Sequence, residues 1–149
     1  MKYVPVVSST GKTLMPCHPA RARQLVREGR AKRRFNKGLF YIQLMDRADG
    51  DTQPIAMGID PGSKKEGLTV KSEIHTFINI QADAITWVSQ RIKTRRIMRH
   101  NRRRRNCPHR ANRKNRARGG IAPSTKARWQ WKLRLVNWLK TVYPITDFV

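Results

Sequence analysis

The stretch IAMGIDPGS, residues 55–63, organises the rest of this 149-residue chain. Its first five positions are apolar or glycine and its sixth is Asp60, the pattern of a short buried strand that ends on a carboxylate. Pro61-Gly62-Ser63 then turns the chain. Residues 67–70 and 74–80 read as two further strands, and their short connections make the three an antiparallel meander. A helix is expected from Ala84, because Ile85, Val88 and Ile92 recur at three- and four-residue spacing. Arg95, Arg99 and Arg102 continue that stripe, so the helix has an apolar root and a cationic shaft. Asn106-Cys107-Pro108 ends it, since Pro108 cannot continue a helix. Residues 109–120 read as an extended basic arm closing on Gly119-Gly120.

Upstream, residues 1–54 form a small basic β/α module with a polar linker at 46–51. Residues 3–8 read as a strand, with Pro5 favouring a sheet edge. Pro19 suits the first turn of a helix and Gly29 the position just past its end. Ala22, Leu25 and Val26 share one face of that helix, while Arg21, Arg23 and Arg27 project elsewhere. Residues 30–35 and 39–45 read as a hairpin around Asn36-Lys37-Gly38. Downstream, at 121–149, Ser124 is expected to cap a helix whose stripe is Trp131, Leu135, Trp138 and Val142. Tyr143-Pro144 stops it, and residues 145–149 begin another strand. The fold class is therefore α/β in the α+β sense. The segments are 1–54, a meander at 55–83, an arginine-rich helix and arm at 84–120, and an amphipathic helix with a strand at 121–149.

Charge narrows the function. The chain has 33 Lys+Arg against 9 Asp+Glu, a formal charge of +24. Residues 91–118 hold 14 of those cations, 12 of them arginine, and not one acid. Arginine's planar fork grips phosphate oxygens in pairs and stacks on bases. The run is internal and flanked by apolar, helix-competent sequence, so a nucleic-acid partner is expected rather than a solvated basic tail. No apolar run approaches the roughly 18 residues of a membrane span, and no membrane partner is expected. Two cysteines, Cys17 and Cys107, cannot build a disulfide scaffold, and a reducing, cytoplasmic setting is the expectation. Cys17-His18 and Cys107-Pro108-His109 match no zinc-ligand spacing. Trp131 and Trp138 read as core. Trp129, off the stripe, is the better base-stacking residue.

These parts resemble a known family in a fixed order. Residues 14–23, LMPCHPARAR, resemble the PLMP module that opens IscB proteins, transposon-encoded RNA-guided nucleases. Gly58-Ile59-Asp60-Pro61-Gly62-Ser63, with Gly67 following, is similar to the first acidic motif of a RuvC nuclease. The arginine helix looks like the bridge helix that names the RRXRR domain. Ala122-Pro123-Ser124, the Trp-rich helix and Tyr143-Pro144-Ile145 resemble the approach to the second acidic motif. The chain departs at Thr13, where the family usually has proline, and at His100, which replaces an arginine in an RRXRR register laid on residues 99–103.

The resemblance implies an incomplete RNase H-like (RuvC) sheet in an RNA-guided, magnesium-dependent DNA endonuclease. Asp60 would be the catalytic metal ligand. Arg95, Arg96, Arg99, Arg102, Arg103, Arg104 and Arg105 of the helix, with Arg110, Arg113 and Arg116 of the arm, would hold a noncoding guide RNA beside target DNA. Arg21, Arg23 and Arg27 of the first module would add to that contact. Two-metal phosphodiester hydrolysis needs several converging carboxylates. The family's second one, a Glu on the strand after the Trp-rich helix, is not present, and its place falls at about residue 149. The chain is therefore expected to be part of a larger reading frame, or completed by another polypeptide, and not to cleave alone. Read from its residues only, Asp60 could instead cap the turn at Pro61-Gly62. The alternatives are a non-enzymatic RNA-binding protein associated with ribosomes and a guide-free, resolvase-like nuclease.

Overall fold

A computed structural model describes residues 2–62, 64–108 and 120–149. It is an α+β structure with two four-stranded sheets and three helices among the described residues. The chain divides into two compact units, residues 1–83 with 134–149, and residues 84–133.

In the first unit, one sheet runs in the order β2-β1-β4-β3. Its strands are β1 (Val4–Val7), β2 (Thr13–Cys17), β3 (Ala31–Asn36) and β4 (Leu39–Leu44). Helix α1 (Pro19–Arg27) covers one face, where Ala22 and Leu25 pack on Val4, Val6, Leu14, Ala31, Ile42 and Leu44. His18 caps α1, its Nδ1 accepting from the Ala20 amide at 3.3 Å. Gly29 closes the helix at φ +73°, while the Gly29 and Arg30 amides reach back to the Val26 and Leu25 carbonyls. That paired return is the Schellman cap, and glycine takes its left-handed position without a Cβ penalty. The hairpin turns on Lys37 and Gly38, both at positive φ, as a two-residue type I′ loop requires.

Pro5 corrects an expectation. β1 is not an edge strand: it pairs antiparallel with β2 and parallel with β4, and all four of its residues are buried. The strand tolerates proline because the β1–β2 register shifts between Val4 and Val6. A bulge there removes the need for a ladder N–H at position 5. Strand β2 was hidden by its neighbours, since Pro16 and the His18-Pro19 helix start mask a five-residue strand.

The second sheet runs β7-β6-β5-β8, from β5 (Ala56–Asp60), β6 (Lys65–Lys71), β7 (Thr76–Asp83) and β8 (Asp147–Phe148). The first three form the expected antiparallel meander. β8 joins parallel to β5, and the pairing continues where the Val149 amide donates to the Met57 carbonyl at 3.0 Å. One face of this sheet, with Met57, Leu68 and Val70, packs on Leu39, Val136, Leu139, Val142 and Tyr143. Trp138 ties its helix to the β3–β4 hairpin, its Nε1 donating to the Asn36 carbonyl at 3.1 Å. The Tyr143 hydroxyl is buried without a hydrogen-bond partner, and burial pushes its pKa up.

Helix α2 (Trp87–Arg104) begins three residues later than Ala84 because β7 extends to Asp83. Its apolar root shrinks to one residue: Val88 is buried, whereas Ile92 is 50% exposed. Asn106 at φ +51° ends it, with the Asn106 and Cys107 amides returning to the Arg103 and Arg102 carbonyls. The stop thus comes two residues before Pro108, from the left-handed asparagine. Helix α3 (Pro123–Lys140) starts at Pro123, so Ser124 lies inside its first turn and does not cap it. Proline's fixed φ suits that first position. No helix among the described residues is long and apolar enough to cross a membrane.

Candidate nucleic-acid interface

Asp60 is the last residue of β5 and is exposed. Side chains alternate across a strand, so Asp60 faces away from Met57 and the core, on the open side of the sheet. Two glycines keep its surroundings clear. A Cβ on Gly67, its partner across β6, would come within 3.4 Å of the Asp60 Cβ. A Cβ on Gly62 would collide with the Lys65 carbonyl oxygen. The turn after Asp60 therefore admits no side chain at Gly62, which gives Pro61-Gly62 a steric reason.

The other carboxylates do not converge on Asp60. Glu66 is buried, on the face that carries Leu68 and Val70. Glu73 lies between β6 and β7. Asp83 pairs with Lys65 at the end of β7, at Asp60's end of the sheet but with β6 between them. Asp147 pairs with Ala56, at the opposite end of β5. Among the described residues no three His, Cys, Asp or Glu side chains form a group that could hold a metal ion. This set does not fit a two-metal centre, which needs several carboxylates at one point. Cys17 is half-buried and Cys107 exposed, and burial pushes the Cys17 thiol up.

The arginine helix is exposed along nearly its whole length. Ile92, Arg95, Arg96, Arg99, His100 and Arg103 line a shallow groove of about 440 Å³ along one face. Those positions recur at three- and four-residue steps, as one helix face must. Arg95, Arg99 and Arg103 make the cationic stripe, and Arg96 flanks it. Arg102 departs from the sequence stripe, its Nη2 donating to the Pro108 carbonyl at 3.0 Å. Arg104 ends α2 and Arg105 is its C-cap. The lining of this groove contains no carboxylate, and residues 91–118 hold no acid of their own. Arg110, Arg113 and Arg116, with the basic arm, lie outside the described residues.

On α1, Arg21 donates to the Gln24 Oε1 at 3.0 Å. Arg23 lines a separate apolar groove, and Arg27 closes the last turn. Trp129 is 56% exposed, with the Lys132 ammonium 5.1 Å from its ring centre. Two features escaped the sequence. Arg91 stacks over Trp87 at 4.6 Å, a pair signalled only by its four-residue spacing. Phe35, in the strand between Arg34 and Asn36, is 70% exposed.

An α+β protein with an exposed aspartate at the end of a central strand and an arginine-rich helix is the class that the fold and this site define. The chain belongs to the RRXRR family: the family model described as "RRXRR protein" matches residues 4–149. No curated protein matches it.

Proposed function

We propose that this RRXRR chain is the RNA-holding part of an IscB-like, RuvC-type, RNA-guided DNA endonuclease. The observation that carries the reading is the face of α2, where Arg95, Arg96, Arg99 and Arg103 line one groove with no acidic neighbour. Spaced guanidinium groups on a rod suit the phosphate spacing of a nucleic-acid backbone, and base pairing then supplies the sequence reading. Support for the RuvC part is coarser. It rests on a mixed sheet whose first meander strand ends in an exposed Asp60. Asp60 would be one ligand of the magnesium site in the working nuclease. The carboxylates of this chain do not assemble that site, so the 149-residue chain by itself is expected not to nick DNA.

The test begins with the nucleic acid that co-purifies with the chain. A single defined noncoding RNA supports the proposal. Ribosomal RNA would point instead to a ribosome-associated factor, and tight branched-DNA binding without RNA to a resolvase-like nuclease. Changing Arg95, Arg99 and Arg103 together to glutamine should weaken binding of that RNA by about tenfold or more. It should also lower the slope of log affinity against log salt by about 2 to 3, since each lost phosphate contact removes somewhat less than one unit. Undiminished binding sinks the reading. Magnesium-dependent nicking by the purified chain, abolished by Asp60→Ala, would overturn its second half.

A further inference from the structure

The first unit carries an apolar groove that neither its core nor the α2 face uses. Cross-strand pairing puts Arg33 beside Ile42 and Phe35 beside Phe40, on the side of the sheet that α1 covers. Helix α1 buries Ala31, Ile42 and Leu44 and half-buries Phe40, but leaves Phe35, toward the hairpin tip, open. The Phe35 and Phe40 rings lie 5.3 Å apart at 56°. They form one wall of a groove of about 390 Å³, completed by Ala22, Val26, Arg23 and Arg33.

One ordinary explanation covers only part of this. β3 is an edge strand, and cations on an edge discourage pairing with other chains. That accounts for Lys32, Arg33 and Arg34. It does not account for a phenylalanine that is 70% exposed, because a flat apolar ring on an edge works against the same end. Phe35 is not a scattered surface ring: it continues into Phe40, Val26 and Ala22, and a contiguous apolar patch rimmed by cations marks a binding surface.

We propose that this groove holds one unpaired nucleotide, its base stacked on Phe35 and its phosphates gripped by Arg23 and Arg33. The groove and the ligand divide alike. A nucleotide has a flat, weakly polar ring and an anionic rim, and the groove has an aromatic wall flanked by two guanidinium groups with no carboxylate in its lining. An apolar peptide would leave both cations unmatched. Base–aromatic stacking with arginine support is how proteins hold single strands without reading sequence. This goes beyond the α2 reading, because it concerns an extruded base rather than a backbone, and it stands without the guide or the nuclease.

Short single-stranded RNA and DNA oligonucleotides carrying 5-iodouracil, and the same sequences as duplexes, test it with the full chain. Irradiation should crosslink the single strands to Phe35 or Phe40, located by mass spectrometry, and leave duplexes uncrosslinked there. The RNA and DNA arms show which strand supplies the nucleotide. Phe35→Ala should weaken single-strand binding by about fivefold or more, the lower end of one base–aromatic stack. Phe35→Trp should retain binding, and Phe35→Leu, which keeps apolar bulk without the ring, should fall with Phe35→Ala. The salt slope should stay unchanged in all three, whereas the α2 glutamine variant lowers it, so failure of one reading is distinguishable from failure of the other. An unshifted melting temperature confirms that the variants fold. Absence of the crosslink together with wild-type affinity in Phe35→Ala overturns the proposal, and so does wild-type affinity in Phe35→Leu, which would mark an aliphatic protein-docking groove instead.

Discussion

Helices α1 and α2 are both studded with arginine, yet they do opposite things. α1 has nine residues, buries Ala22 and Leu25, and stands on its sheet as a core helix. α2 has eighteen residues and buries only Val88. The difference is spacing. In α1 the arginines alternate with small and apolar residues that recur on one face, so cations and core share the helix without conflict. In α2 cations occupy successive turns of the same face, where each like-charge pair costs about 0.2–0.5 kcal/mol and little apolar burial offsets it. A helix built this way contributes little to the stability of the fold, and its exposed face is left free for a polyanion.

That contrast breaks first at the core. Leu139 is fully buried, and Leu139→Ala should cost about 2–5 kcal/mol in urea unfolding. Ile97, half exposed on α2, should lose no more than about 0.5 kcal/mol as Ile97→Ala. Equal losses would mean that Ile97 of α2 is packed as tightly as Leu139 of α3. A smaller effect of opposite sign is expected at Tyr143. Its hydroxyl is buried without a partner, so Tyr143→Phe should raise stability by about 1 kcal/mol by removing an unsatisfied group. A loss on that substitution would reveal a hidden hydrogen bond.

The smallest effect sharpens the electrostatic half of the comparison. A hydrogen bond from Arg30 holds the Asp46 carboxyl below its usual range, and one from Lys12 does the same for Asp49. Both bonds measure 2.6 Å. Between the depressed native value and the ordinary value of about 3.9, the unfolded chain binds more protons than the folded one. The stability from these pairs is therefore present above about pH 4 and lost as pH falls through the native values. Thermal melts across the acid range should show a shallower decline in Asp46→Asn than in the wild type. Both carboxylates are exposed and the difference will be small. An unchanged decline would show that the pair is an exposed contact without energetic weight.

Much of the fold was legible because periodicity and turn chemistry are local. The meander of β5, β6 and β7, the β3–β4 hairpin around Lys37-Gly38 and the helix between Pro19 and Gly29 all follow from alternation, a two-residue turn and a glycine cap. The misses have local causes too. Pro5 signalled an edge because sequence cannot show a register shift that excuses a missing N–H. Thr13–Cys17 lay in the shadow of a helix start. In α2 the stripe ran through Arg102, whereas the groove runs through Arg103 and Arg102 folds back on the Pro108 carbonyl. Phe35 gave no signal at all, since a strand aromatic is ordinarily buried and only the length of α1 leaves this one uncovered.

The sequence by itself determined where the charge sits, that sheets and helices share the chain, and that Asp60 ends an apolar strand. These are properties of order and spacing, and they need no partner segments. Only the tertiary structure decided which face each residue presents. It placed β1 in the centre of its sheet, turned Glu66 away from Asp60, put Asp147 at the other end of β5 and Asp83 two strands away, and left the Phe35 ring open beside two guanidinium groups. The reason is that pairing register and helix length set neighbourhoods between residues far apart in the chain, and no local pattern carries that information.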